Sequence, residues 1–458
     1  MLRIILGAGG AVLTAAVVAL NLSPIGQIYL PSATGIVAKQ MCSLTWVSGL
    51  EPDQARSLYL DPLLGDAGSL LNHHIDADNH QVTANFLGLF WTQRAVWRDG
   101  LGCTLVHGGH GFDPELTAPV TRGFIAMPLD TAHRDTWFDT EALDAAMSSA
   151  FDEAQTDGRN TLGVAILHQG RLVAEHYAPG ASAETRFHGW SMTKSVIATL
   201  AGSLAQDNGL DIRAEGEIPA LAAIGDPRLD AITIEALLRM TGGLAIAELN
   251  NGMDPNSQML FTQWDMPHFA ATRERLHAPG EHWQYMSGNT ILASDALQRR
   301  LGDSLPEQVA ALRARIFEPL DIYSAILEPG ENGVFQGSSY MYATAQDWAR
   351  LCQLYLDNGV AADGRRILPE DWYSIVAEPT PNSGGGYGMG FWLPTEATGL
   401  PPESIMMSGF QGQWGYVMPE QELVIVRFGA TIGVSSRSGR LAREVVAALQ
   451  SPASAPAG

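Results

Sequence analysis

Basic residues are scarce in this sequence: 27 Lys and Arg stand against 49 Asp and Glu, for a formal charge of −22. A chain so poor in cations cannot cluster them against phosphates, which excludes nucleic acid as a partner and leaves solubility as the main consequence of the charge. Metal-binding patterns are also missing. His107 and His110 lie three apart in His107-Gly108-Gly109-His110-Gly111, and His73 adjoins His74. Neither pair has a third ligand at a defined spacing, and no His-Glu-x-x-His occurs. The first stretch therefore reads as a glycine-rich loop, and no metal or organic cofactor is expected. The Gly-x-Ser-x-Gly elbow is absent, because Gly189-Trp190-Ser191-Met192-Thr193 lacks the last glycine, and this argues against an α/β-hydrolase. Gly7, Gly9 and Gly10 are unaccompanied by a strand or an acidic ribose contact, so they form no dinucleotide loop.

Charge is missing altogether between Arg3 and Lys39. The uncharged run from Ile4 to Leu20 is longer than the usual core of an export signal and at the short limit of a membrane span. Arg3 would keep the N-terminus in the cytoplasm and send the rest across. Residues 1–35 thus read as a signal or membrane-anchor segment of an exported, periplasmic or cell-envelope protein. Residues 4–20 would be the membrane tether if the segment is retained, and the lack of an A-x-A site leaves its removal open. Cysteine is limited to three residues. In an exported chain Cys42 and Cys103 become disulfide candidates, whereas Cys352, in the apolar run Trp348 to Leu354, reads as a buried small hydrophobe.

What is present describes a globular protein. The 458 residues are 46% hydrophobic and long enough for two or more packed units. Residues 36–130 form an N-terminal extension that contains Trp46, Trp91 and Trp97 but no catalytic pattern. A helix is expected over about 140–155, with Leu143, Met147 and Phe151 on one face. Strand-like runs at 161–168 and 172–177 flank Gln169-Gly170-Arg171 as a hairpin. The stretch from about 205 to 330 is mostly helix and loop, including a short helix capped at Thr233 that stops at Thr241-Gly242-Gly243. A further helix is expected over 345–358, then strands at 414–418 and 423–428, then a terminal helix near 440–449. Strands at both ends with helices between them predict an α+β fold: an antiparallel sheet closed by two distant chain segments, flanked by N- and C-terminal helices, with an all-helical insertion.

The chemistry centres on Phe187-His188-Gly189-Trp190-Ser191-Met192-Thr193-Lys194-Ser195. Val196, Ile197, Leu200, Ala201 and Leu204 follow at helical spacing, so Ser191 falls at a helix N-terminus, where free N–H groups and the helix dipole favour an oxyanion. Lys194, three residues on, shares the serine's helix face. A partly desolvated lysine there loses affinity for its proton and can serve as base to the serine nucleophile. An N-capping serine followed by a surface lysine gives the same pattern, so this stretch alone leaves both readings open.

Two more stretches follow in order: Tyr285-Met286-Ser287, then Met407-Ser408-Gly409 ahead of the final hairpin. With Arg239-Met240-Thr241-Gly242-Gly243-Leu244, Trp283 to Thr290 and Ala343 to Arg350, they make residues 135–450 resemble the serine β-lactamase-like family. That family includes class C β-lactamases, DD-peptidases, related esterases and the 6-aminohexanoate-dimer hydrolases, and the resemblance is strongest to the last branch. It implies a β-lactamase/DD-peptidase-like hydrolase domain over 135–458, with the helical insertion at about 205–330, acting on a small-molecule amide or ester. Ser191 would form the acyl-enzyme, Lys194 would take up its proton, and Tyr285 would pass a proton to the leaving group, its phenol made more acidic by Lys194. Ser287 stands where the family often has asparagine. Ser287 and Ser408-Gly409-Phe410 would bind substrate, with the backbone N–H groups of Ser191 and Phe410 as the oxyanion hole. Met407 replaces the lysine that class C β-lactamases use toward a substrate carboxylate, which disfavours β-lactam hydrolysis. Trp190, Trp283, Tyr387, Trp392 and Trp414 either line the cleft or pack behind it. The alternatives are a penicillin-binding DD-peptidase or weak β-lactamase, and a non-catalytic envelope binding protein that keeps the fold.

Overall fold

A computed structural model describes residues 19–120, 122–156, 160–207, 209–432 and 439–450. Residues 4–18 of the apolar run, read from sequence as an export or anchor segment, lie outside the described residues. Among those described, no helix is long and apolar enough to cross a membrane.

The position taken from sequence as the end of that segment, residue 35, lies inside the helix Leu30–Trp46 (α1). α1 is buried on nearly every face, including Val37, Ala38, Met41 and Leu44. The reason is its place between two units. One side packs on a four-stranded antiparallel meander, Leu71–Asp76 (β1), Gln81–Phe86 (β2), Phe90–Arg98 (β3) and Gly102–Leu105 (β4), in spatial order β1-β2-β3-β4. The other side meets the rest of the chain. Residues 36–105 are therefore built into the fold.

That second unit begins with the helix Thr140–Thr156 (α2) and the strands Thr161–His168 (β5) and Arg171–Tyr177 (β6), followed by the helix Thr193–Gln206 (α3). The intervening stretch is mostly helical, as expected, and includes Pro255–Thr262 (α4) and Ser287–Gln298 (α5), the latter buried along its whole length. The helix Ala345–Leu356 (α6) leads back to the strands Ile405–Gly409 (β7), Gln413–Met418 (β8) and Leu423–Gly429 (β9), and the chain ends in the helix Arg440–Ala448 (α7). The sheet order is β7-β8-β9-β5-β6, antiparallel throughout, and the pairing of Leu423 with His168 and Ile425 with Ile166 joins the two distant segments.

β5 is buried at all positions because both sheet faces are covered. Val164, Ile166 and Ile425 meet Leu143, Met147 and Val445 from α2 and α7 on one face. Ala165, Leu167, Val424 and Val426 join the core that contains α3 and α6 on the other. Side chains alternate across a strand, so a strand between two helical layers must be apolar at consecutive positions, which is what the sequence shows.

A buried ion pair fastens the units together. Lys39 of α1 donates to Glu328 and to the Cys103 carbonyl. Glu328 accepts in addition the Cys103 N–H at 2.6 Å and the Ser43 hydroxyl at 2.9 Å. Burial pushes the Lys39 amine down and the Glu328 carboxyl up, which the pairing between them opposes. Cys42 and Cys103 form a disulfide across 61 residues, and Cys352 is free and buried. The glycine-rich loop after β4 is held by Glu331, whose carboxylate accepts the N–H groups of His107 and His110 at 2.7 and 2.9 Å.

Intact-mass analysis under non-reducing conditions should find one disulfide and one free thiol. Cys42→Ser with Cys103→Ser should lower unfolding free energy by roughly 4 kcal/mol through the entropy of a loop that long. Lys39→Met, which strands Glu328 without its cation, should cost about 3–5 kcal/mol in denaturant titration.

Candidate active site

Ser191 sits in a tight 3-10 turn, Trp190–Met192, that runs directly into α3. The residue before it, Trp190, has φ 46°, a left-handed conformation costly for a bulky side chain. Its surroundings hold it there. The indole stacks on His188 at 4.1 Å and meets Phe410 edge-on at 5.4 Å, and its N–H donates to Gln411 Oε1 at 3.1 Å. Gln411 in turn donates to the Tyr59 carbonyl at 2.9 Å, so the N-terminal unit helps to set the turn. His188 donates from Nε2 to the Ser339 carbonyl at 2.7 Å, and burial pulls its proton affinity down to about 3, leaving a neutral stacking platform.

Lys194 lies one turn along and is buried. Its Nζ is 3.0 Å from Ser191 Oγ, 3.0 Å from Ser287 Oγ and 2.9 Å from the Ser338 carbonyl. Those are three contacts for the three hydrogens of an ammonium. A neutral amine can keep its donations to Ser287 and Ser338 and turn its lone pair to the Ser191 hydroxyl. Burial pulls the amine down to about 8, with Glu248 pulling in the opposite direction.

Glu248 had no signal in the sequence. It lies outside any motif, in an irregular stretch, and only the folded chain brings it to the site. Its Oε2 accepts the Ser287 N–H at 2.7 Å and the Ser287 hydroxyl at 2.8 Å, at the first turn of α5. A carboxylate, a hydroxyl, an amine and a second hydroxyl thus form one chain from Glu248 through Ser287 and Lys194 to Ser191. The position that resemblance gave to asparagine is filled by a serine that relays between two charged groups.

Tyr285 stands over this chain, with Lys194 Nζ 4.9 Å from its ring centroid and its hydroxyl facing Ser191. The expectation that Lys194 would make this phenol more acidic is corrected. Burial, then the negative charge of Glu248 and the neighbouring Tyr387, raise its pKa well above the ordinary value, and the Ser191 contact offsets only part of this. Tyr285 is a neutral hydroxyl here.

On the opposite side, β7 ends against the serine turn. A Cβ on Gly409 would lie 2.2 Å from the Gly189 carbonyl oxygen, so only glycine lets the strand end approach this closely. The approach brings Ser408, Gly409 and Phe410 into the lining of a cleft of about 350 Å3 that also includes Ser191, Tyr285 and Glu248. Met407 points the other way, into the core against Cys352. Of the five candidate aromatics, Trp190 and Trp392 line the cleft. Trp283 and Tyr387 pack behind, Tyr387 against the Tyr285 ring, and Trp414 stacks on Tyr416 in the cluster beneath α2 and α7.

In sequence and fold the chain is similar to known proteins. A 6-aminohexanoate-dimer hydrolase of Paenarthrobacter ureafaciens is 24% identical over 341 residues, 69% of this chain and 82% of the relative. Penicillin-binding protein 4 of Amycolatopsis lactamdurans is 26% identical over 275 residues, 53% of this chain and 68% of its own. Among solved structures, EstA of Arthrobacter nitroguajacolicus Rue61a superposes with a TM-score of 0.51 at 16% identity, over 67% of this chain and 97% of its own. Residues 147–447 match the family model described as Beta-lactamase, so the chain belongs to the Beta-lactamase family, whose members are serine hydrolases.

Proposed function

We propose that this protein cleaves an uncharged ester or amide through an acyl-enzyme on Ser191. The observation that carries the reading is the buried Lys194 amine, 3.0 Å from Ser191 Oγ, with its proton affinity lowered to about 8. Neutral Lys194 takes the hydroxyl proton as Ser191 Oγ bonds to the carbonyl carbon. The tetrahedral oxyanion is received by the backbone N–H groups of Ser191 and Phe410, a role supported by the contact of Gly409 with the serine turn. The carbon–oxygen or carbon–nitrogen bond then breaks, with the proton passing from Lys194 by way of the Tyr285 hydroxyl to the leaving group. Water repeats the sequence on the acyl-serine, and the freed acid restores Ser191. Glu248 is a positioning residue that orients Ser287 and, through it, Lys194.

The relative named as a penicillin-binding protein motivates a second reading, acylation by β-lactams or D-alanyl peptides. Against it, Met407 is buried in the core, and the cleft lining named above offers no cation toward a substrate carboxylate. Labelling by a fluorescent penicillin at rates above those for p-nitrophenyl esters would favour that second reading. A chain that binds without catalysis would fail to react with a fluorophosphonate.

We further propose that residues 4–20 direct the chain into or across a membrane. The uncharged run and a disulfide suited to an oxidising compartment support this. Fractionation of cells producing the full chain should recover it in the envelope, and recovery in the cytosol with free thiols would refute the proposal.

Ser191→Ala should lower kcat/KM by about 10^4-fold or more with the fold intact by circular dichroism. Tyr285→Phe should lower kcat about a hundredfold while KM changes little. Because Lys194 must be neutral to accept a proton, kcat/KM should rise with pH and level off above about 8. Glu248→Gln removes the charge that holds the Lys194 proton, so the rising limb should move to lower pH. An unmoved limb would remove Glu248 from this role.

A further inference from the structure

The family match begins at residue 147, yet part of the cleft is built from residues far ahead of it. Ala33 and Ile36 of α1, with Leu63 and Leu64 from the segment that follows, line the same cavity as Ser191. They face Leu260 and Phe261 of α4. The two helices run side by side in the same direction, because Tyr29 reaches Gly252 at one end while Gly35 reaches the Phe261 carbonyl at the other. A Cβ at Gly35 would lie 2.5 Å from that carbonyl oxygen, so only glycine lets the two backbones approach this closely.

The wall is apolar where it faces the cavity. Its polar members are few: the Ser32 hydroxyl and the Asn256 carbonyl oxygen are buried without a hydrogen-bond partner among the described residues, and the Ser257 hydroxyl donates to Asp254 at 2.7 Å. Asn250 and Asn251 are exposed, and so belong to the rim. Among the described lining residues Glu248 is the one that carries charge, and it is occupied by Ser287. A group lying in the cleft along α1 and α4 meets mainly methyl and phenyl surface, with the Glu248 carboxylate in the same lining.

We propose that α1 and the Leu63-Leu64 segment form the wall of a subsite for an uncharged aliphatic arm of the ester or amide, so that elements outside the family domain set substrate length. The inference rests on the reading of Ser191 as nucleophile and extends it to a substrate class. An aliphatic arm gains from each methylene removed from water, and an arm ending in a carboxylate loses that gain beside Glu248.

The test uses the full chain and p-nitrophenyl acetate, butyrate, hexanoate and the half-ester of adipate. For wild type, kcat/KM should climb by roughly fourfold per methylene up to the length the wall accommodates, and the adipate ester should fall well below the hexanoate. Ile36→Trp and Leu63→Trp, both at partly exposed positions, should each reduce the hexanoate-to-acetate ratio of kcat/KM by about tenfold or more. A ratio within twofold of wild type in both variants, with Ser191 still labelled by a small fluorophosphonate, would overturn the subsite while leaving the nucleophile in place. Failure of wild type to turn over any ester or to take the label would instead remove the nucleophile, and the subsite with it.

Discussion

One amine, Lys194 Nζ, has three oxygen neighbours and little solvent, and the molecule is arranged to keep it so. Its partners come from three places: Ser191 on the same helix, Ser287 at the start of α5, and the Ser338 carbonyl in the segment that leads to α6. The contacts to Ser287 and Ser338 are lost if α5 or the Ser338 segment shifts relative to α3 by more than a fraction of a hydrogen-bond length. Burial disfavours the ammonium and the Glu248 carboxylate favours it. The balance places the amine near 8, where a modest change in surroundings decides whether it holds or takes a proton. This accounts for α5 being buried along its whole length and for a carboxylate, Glu248, on the far side of Ser287.

The serine turn is under a related constraint. Trp190 holds a left-handed backbone conformation that its own side chain disfavours, and the cost is offset by stacking on His188, the edge contact with Phe410 and the hydrogen bond to Gln411. Gln411 reaches Tyr59, and the Lys39–Glu328 pair binds the same N-terminal unit, itself closed by the Cys42–Cys103 disulfide, to the hydrolase domain. That unit is therefore coupled to the geometry of the Ser191 turn as well as to the shape of the cleft. A region that carries no catalytic motif still shapes the site, because it completes both the support of Trp190 and one wall of the cavity.

Tyr285 and Glu248 show how a site differs from the sum of its motifs. A phenol near a lysine would be expected to ionise more easily, yet a low-dielectric neighbourhood and a carboxylate act more strongly in the opposite direction. The result is a hydroxyl that can donate and accept without itself carrying charge. Met407 makes a similar point: alternation along β7 sends it into the core and gives the cleft face to Ser408.

Much of the hydrolase domain was legible in the sequence. The capping oxygen of Thr233 does accept the Ala236 N–H at 3.1 Å, and that of Thr344 the Asp347 N–H at 3.2 Å, so two helix starts lay in local chemistry. The apolar runs of β5 and β9 announced strands, and the three-residue step from Ser191 to Lys194 fixed their shared helix face without any tertiary contact. These features depend on neighbours a few positions away, and a chain displays them in order. Glu248, the burial of α1, the inward turn of Met407 and the N-terminal wall of the cleft depend on partners tens or hundreds of positions distant. No local pattern specifies such partners, because hydrogen-bond geometry and burial are properties of the packed whole. The adjacency of Ser191 and Lys194 was determined by the sequence alone; the proton affinity of that amine, the neutrality of the phenol and the shape offered to a substrate were decided only when distant segments closed around them and excluded water.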